Sequence, residues 1–327
     1  MDTQLLVALL ASIMADSAPL VLASIGETFT ERAGITNLSL DGTILLSAMT
    51  GFAVAFTTDS LLWGFLAGMV VGAVVALIVA AASIELRQDQ VAVGFVLTML
   101  CTDLSSFLGN PFVRKPGPMV PHMAIPALDQ LPILGPIFFD QNPVVYISLL
   151  AVLVAWVWIF KTQPGLILQG IGERPAAAFA RGANVRLLRY SYTILGGSMV
   201  GFAGAAYSLS VKLGWSYHHT FGMGWIALAI VIFGGWDPLR VALGAYLFGA
   251  LGSLGSFVQG VPEIAQLLPT QVFQAAPFAL MILALLLVSS RGLERFLTVF
   301  PPPVRRLLAG ALRVAPPAAL GTRFEQD

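Results

Sequence analysis

Apolar residues in this chain come in long unbroken runs rather than in narrow stripes. Runs of about 17 to 25 mostly apolar residues are long enough to cross hydrocarbon as helices. Nine candidates follow: Leu5–Ile25, Thr43–Thr57, Leu61–Ala82, Val91–Leu108, Val144–Phe160, Tyr190–Val211, Gly222–Phe233, Leu239–Phe257 and Val272–Val288. Thr43–Thr57 and Gly222–Phe233 are short, and short Gly-flanked segments in transporters are often broken helices lining a cavity. The pattern predicts an all-α polytopic membrane helical bundle of about nine spans, within a range of eight to ten, with short broken helices near its centre.

Composition supports this class. The chain is 57% hydrophobic and 10% charged, with a mean hydropathy of +0.85, whereas a soluble domain carries about 25% charged residues. The 327 residues are read as one transmembrane domain over 1–290 and a basic tail over 291–327. Net charge is zero, so only the placement of charge informs, and no nucleic-acid partner is expected. The single cysteine, Cys101, cannot form an intrachain disulfide. No Lys or Arg precedes Arg32, so the first segment lacks the basic region of a cleaved signal peptide and is read as a retained span.

The placement of charge singles out Lys161–Arg189. It holds Lys161, Arg174, Arg181, Arg186 and Arg189 against Glu173 alone, a net +4, between two membrane-length apolar runs. Clustered cations of this kind stay on the cytoplasmic side. Arg87, the Trp236–Arg240 turn and the tail then fall inside as well, while the N-terminus and Gly109–Asn142 fall outside. Within the basic stretch, Gly170 and Gly172 are expected to break the preceding helix. Pro175 suits a first helical turn, Ala176–Ala178 favour helix and Gly182 can end it. The expectation is a short helix across the membrane surface, either a basic loop that only fixes orientation or a docking helix for a cytoplasmic partner.

Other signals are structural. Gly64, Gly68 and Gly72 form one small-residue stripe and Gly197 with Gly201 another, the spacing that lets helices meet backbone to backbone. The proline-rich outer loop 109–142 is expected to be stiff. It serves as a cover over the bundle or as a landing surface for an extracytoplasmic binding protein. The tail is expected to lie on the anionic inner surface. Asp16 and Asp103 interrupt apolar runs, as helix–helix hydrogen-bonding groups or as parts of a pathway. Lys212 is expected to snorkel outward. The adjacent His218 and His219 do not share a helix face, so no metal site is expected. Trp63, Phe95, Trp225 and Phe278 are expected at the membrane interface or in packing.

The stretch Gly26–Gly42 is dense in polar groups, including Glu27, Glu31, Arg32, Asn37, Ser39 and Asp41. It reads either as an interfacial inner loop with a Glu31–Arg32 pair or as a re-entrant turn near a translocation pathway. Here the chain resembles the permeases of ABC importers that move simple sugars and nucleosides, relatives of branched-chain amino acid and ribose permeases. Their E-R-A-G-x-x-N-x-x-x-E-G pattern is matched by Glu31, Arg32, Ala33, Gly34, Asn37 and Gly42, with Asp41 one carbon shorter than the usual Glu. Gly172, Pro175, Ala177, Ala178, Gly182, Asn184, Val185 and Arg186 resemble their coupling loop, with Arg174 where Asn is usual. Gln90, Val91 and Gly94 resemble a span entry, with Thr98 in place of a common Asn. Leu131–Asn142, Gly222–Trp225 and Ile232–Gly244 resemble other family segments.

The resemblance implies an importer subunit of the bacterial inner membrane that binds no cofactor itself, ATP and Mg belonging to a partner ATPase. A second permease, related but not identical, and an extracytoplasmic substrate-binding protein complete the expected assembly in the lipid bilayer. Gly172, Glu173, Arg174, Pro175, Ala177, Ala178, Arg181 and Gly182 are the implied ATPase-coupling residues. Asn37, Ser39, Asp41, Gln90, Thr98 and Trp225 are the candidate pathway residues, for a purine nucleoside ahead of a simple sugar. No phosphate-cradling G-x-x-x-x-G-K-[ST] loop is present, so this chain does not carry the ATPase. H-E-x-x-H, C-x-x-C and G-x-S-x-G are also missing, which leaves an enzyme without a catalytic constellation. The competing reading is an ion- or proton-coupled secondary transporter relaying charge through Asp16, Asp103 or Asp41.

Overall fold

The computed structural model describes residues 3–259, 275–276, 278–280, 282–283, 301 and 315–322. The candidate span Val272–Val288 and the basic tail 291–327 therefore lie largely outside the described residues. Between Thr3 and Gln259 ten α-helices run in order: α1 (Thr3–Arg32), α2 (Leu40–Thr58), α3 (Leu61–Ile84), α4 (Gln90–Gly109), α5 (Pro143–Lys161), α6 (Gln163–Glu173), α7 (Pro175–Ala180), α8 (Val185–Ala206), α9 (Met223–Gly234) and α10 (Pro238–Gln259). Among the described residues seven of these, α1 to α5, α8 and α10, are long and apolar enough to cross a membrane.

The 12-residue α9 is a half-length helix, as its sequence suggests. It lies between two left-handed glycines, Gly222 and Gly235, and its interior is almost wholly buried. The other short candidate is not short. α2 starts at Leu40 and has 19 residues, because Asp41 and Gly42 are buried inside the bundle and continue the helix. The polar stretch from Gly26 does not end α1 either. The Thr28 and Thr30 hydroxyls donate to the Ser24 and Gly26 carbonyls one turn back, so polar side chains are absorbed without breaking the helix. α1 runs on to Arg32, and Gly34, with its positive φ, then lets the chain turn against the Arg189 side chain.

The two glycine stripes face each other. A Cβ on Gly72 would overlap the Gly197 carbonyl, and one on Gly201 would overlap that of Gly68. The α3 and α8 backbones are therefore in direct contact, which supplies van der Waals cohesion where lipid offers no hydrophobic drive. Phe65 and Phe202 stack beside the seam at 4.6 Å.

The segment between α4 and α5 is folded onto the bundle. Met123–Ala124 pairs antiparallel with Asp140–Gln141. The Val120 N–H donates to the Leu209 carbonyl and that of Arg114 to the Trp215 carbonyl. Asn142 caps α5 by accepting from the amides of Val144 and Val145.

The basic stretch differs from expectation in one respect. Gly170 and Gly172 do not break a helix; both lie inside α6. The break falls at Thr162, whose hydroxyl accepts the Gly165 N–H and starts α6 directly after α5. Gly165 then packs on the Trp158 carbonyl and Gly172 on that of Arg32, contacts that a side chain would obstruct.

Candidate functional site

The expected surface helix is present as α7. Pro175 opens it, the alanines that follow carry no polar competition for the backbone, and Gly182 closes it at a φ of +87°. Asn184 then accepts the Leu187 N–H and caps α8. Arg174, Ala177, Phe179, Arg181 and Gly182 are exposed, and Pro175 and Ala178 half-buried. Arg174, Ala177, Ala178, Arg181 and Gly182, together with Leu166, Ile167 and Gly170 of α6, border a cleft of about 500 Å³. Of the eight predicted coupling residues, only Gly172 is fully hidden, against the end of α1.

That placement connects the surface to the interior. Leu168 and Ile171 of α6 are fully buried, so α6 cannot shift without moving the core. The Arg32 guanidinium lies 5.1 Å from the Phe160 ring centre, and its Nε donates to the Trp236 carbonyl at 2.7 Å. The Trp236 indole N–H donates to Glu31. Trp236 sits in the turn between α9 and α10, so the end of α1 grips the end of α9. The expected Glu31–Arg32 pair is thus two grips on one tryptophan. Separation of 204 positions hid this contact from sequence reading.

C-terminal residues add a strap across the same place. The Ala319 N–H donates to the Gly172 carbonyl at 2.8 Å, Gly321 N–H to the Gly34 carbonyl, and Ala318 N–H to Glu173. Arg189, buried in α8, donates to the Thr322 carbonyl at 3.2 Å.

The six predicted pathway residues meet at the α1–α2 turn. Gln90 Oε1 accepts the Thr36 N–H at 2.7 Å, and the Thr98 hydroxyl donates to the Leu38 carbonyl at 2.8 Å. Asn37 Oδ1 accepts both the amide and the hydroxyl of Ser39. Asp41 Oδ1 accepts the Gly224 N–H at 3.0 Å, and Trp225 packs on Phe95 at 5.4 Å between ring centres. Gly42, Gly94 and Gly224 bring backbones into touch around this knot. Thr98, the departure from the common Asn, still holds the turn. Glu27, which sequence reading placed only in a polar run, accepts the Asn37 N–H from α1.

None of these six lines the second cavity, of about 270 Å³, which is bordered by Asp16, Tyr207, Lys212, Met223, Phe248 and Ser253. Lys212 stands at its edge rather than only facing outward. His219, in the segment before α9, contacts the Ser208 hydroxyl and the Ser216 carbonyl and meets the Trp215 ring edge-on. Burial, with Lys212 nearby, lowers its pKa to about 4.

Comparison with known proteins places this geometry. Residues 9–285 match the family described as branched-chain amino acid transport system / permease component. The chain is 38% identical to a putative glucose ABC transporter permease protein of Haloferax volcanii, over 72% of this chain and 73% of that one. It is 31% identical to a nucleoside ABC transporter permease protein of Lactococcus lactis, over 87% and 93%. It is 34% identical to a guanosine ABC transporter permease protein of Bacillus subtilis, over 86% and 92%.

Proposed function

The chain belongs to the branched-chain amino acid transport permease family, and from that premise we propose that it forms the pathway for a nucleoside in an ATP-driven importer. As a family member it is a multi-pass membrane transport subunit, not an enzyme, and it works with a separate ATP-binding subunit and a substrate-binding protein. The nucleoside assignment is supported by relatives named for nucleoside and guanosine, which align over 87% and 86% of the chain, against 72% for the one named for glucose.

One observation carries the coupling role: the exposed α6–α7 surface is tied, through Gly172, Arg32 and Trp236, to the half-helix α9. An ATPase seated in the cleft beside Ala177 and Ala178 pushes α6, whose apolar anchors pass the displacement to the end of α1. Arg32 and Glu31 pass it to Trp236 and hence to α9, whose start is held by Asp41. A half-helix gripped at both ends moves as a rigid body, the usual element of alternating access. The cluster of Asn37, Ser39, Gln90, Thr98 and Trp225 serves in this account as the bearing for α9, at the margin of the pathway. The N-terminus lies outside, and α7 and the tail lie in the cytoplasm. A related second permease pairs with this chain.

Single cysteines test the arrangement. The native Cys101 is buried, and Ala177 and Ala124 are exposed, so Ala177→Cys and Ala124→Cys report cleanly to a membrane-impermeant maleimide. In intact cells Ala124→Cys is labelled and Ala177→Cys is not; the reverse pattern refutes the orientation. Ala178→Cys cross-links to the ATP-binding subunit in membranes, and failure to do so, with the complex intact, refutes the docking role.

A further inference from the structure

Asp16 is a carboxylate near the middle of α1, within an apolar segment. Such a group at membrane depth is costly and usually serves a path or a ligand. Its one described hydrogen bond comes from the Ser253 hydroxyl of α10, at 2.9 Å to Oδ2. A carboxylate has about four acceptor sites, so among the described residues a single hydroxyl leaves most of its capacity to whatever occupies the space beside it.

That space is the 270 Å³ cavity between α1, the π-helical turn Tyr207–Val211, α9 and α10. Its polar groups gather as Asp16, Ser253, Tyr207 and, at the rim, Lys212; Phe248 and Met223 supply apolar and aromatic wall. α9 begins at Met223 on this wall, so the start of a broken helix opens onto the cavity. Broken helices meeting an ionisable group between repacking elements are where transporters hold their cargo. Asn37, Ser39, Gln90 and Thr98 at the α1–α2 turn, by contrast, are engaged with one another or with backbone.

Resting on the nucleoside-importer reading, we propose that this cavity is a cargo-binding site in which Asp16 accepts adjacent N–H groups from the edge of a purine base. A carboxylate donates nothing unless protonated, so it selects an edge with two neighbouring donors. A 2-amino-6-oxopurine has such an edge, whereas the corresponding edge of a 6-aminopurine alternates donor and acceptor. Phe248 and Met223 cover the faces of the base, in the manner of small-ligand sites with apolar walls and few polar anchors.

The experiment uses the complete transporter in proteoliposomes: this chain, its partner permease, the ATP-binding subunit and the substrate-binding protein. Uptake of guanosine, adenosine and glucose is measured alongside receptor-stimulated ATP hydrolysis. Asp16→Asn keeps an oxygen for Ser253 and removes the charge. It is expected to lower guanosine uptake about tenfold or more, the worth of a charged hydrogen bond, with hydrolysis unchanged and adenosine uptake reduced less. Ser253→Ala, which leaves the carboxylate but frees its orientation, lowers guanosine uptake about threefold, a smaller loss suited to a neutral hydrogen bond. Guanosine uptake within twofold of wild type in Asp16→Asn overturns the inference. So does a parallel loss of uptake and hydrolysis in both variants, which marks a purely structural contact. A wild-type transporter that carries glucose and no nucleoside overturns instead the reading on which the inference rests.

Discussion

The carboxylate of Asp41, at the start of α2, accepts the backbone N–H of Gly224, at the start of α9, across 183 residues of sequence. The Gly224 Cα lies so close to the Asp41 backbone that a Cβ there would overlap it. The shorter acid at this position is therefore matched to a tight approach. Asp41→Ala strands the Gly224 N–H and is expected to cost about 1–3 kcal/mol. Asp41→Asn keeps an acceptor oxygen and stays closer to wild type. Thermal unfolding of the purified permease in detergent measures both, and equal losses in the two variants contradict the role.

Gly72 and Gly182 make a controlled pair. Gly72→Ala drives a methyl group into the Gly197 carbonyl at the α3–α8 seam, an overpacking that costs about 1–3 kcal/mol. Gly182→Ala meets no atom within 4 Å but must hold a φ of +87°, a penalty of about 1–2 kcal/mol confined to the end of α7. Melting temperature falls for Gly72→Ala. Uptake falls for Gly182→Ala more than its melting temperature does, because the strain lies on the coupling surface.

Stability should depend on pH through His219. Its pKa in the fold is about 4, below the ordinary value of about 6.5, so the fold favours the neutral ring. The contribution is complete above about pH 6.5 and is lost as pH falls towards 4. Acidification from pH 7 to pH 5 removes about 2 kcal/mol at roughly 1.4 kcal/mol per pH unit. His219→Gln abolishes that component, visible as a flatter plot of melting temperature against pH.

The strap at 315–322 holds the Gly172 carbonyl, the Gly34 carbonyl and Arg189. A chain ending at residue 314 loses all three contacts together. It is expected to insert and assemble normally, yet to transport fewer molecules per ATP, since the joint between α6 and α1 is loosened. Arg189→Lys, with one donor group in place of a fork, gives an intermediate loss. Unchanged coupling in the truncated chain refutes the strap's role.

How much of this was legible in the sequence follows from the range of each interaction. The glycine stripes of α3 and α8 are periodic and local, so their packing role could be read from spacing; that they face each other could not. α7 announced itself through Pro175, three alanines and Gly182. α6 did not, because Gly170 and Gly172 both read as helix breakers, and the Arg32 carbonyl that crowds Gly172 lies far away in sequence. α1 ran past the polar residues from Gly26 because its threonines bond within their own helix. The Glu31–Trp236 grip and the Asp16–Ser253 contact join ends of the chain more than 200 positions apart, and no local pattern carries that information.

The central claim is that α7 transmits the work of ATP hydrolysis into the bundle. The number of nucleoside molecules taken up per ATP hydrolysed by proteoliposomes, wild type against Ala178→Asp, tests it most directly. The account predicts continued hydrolysis with this ratio at least tenfold lower in the variant, as a buried unpaired charge would cause at a docking surface. A ratio equal to wild type, or uptake that persists without ATP and collapses with a protonophore, would contradict it.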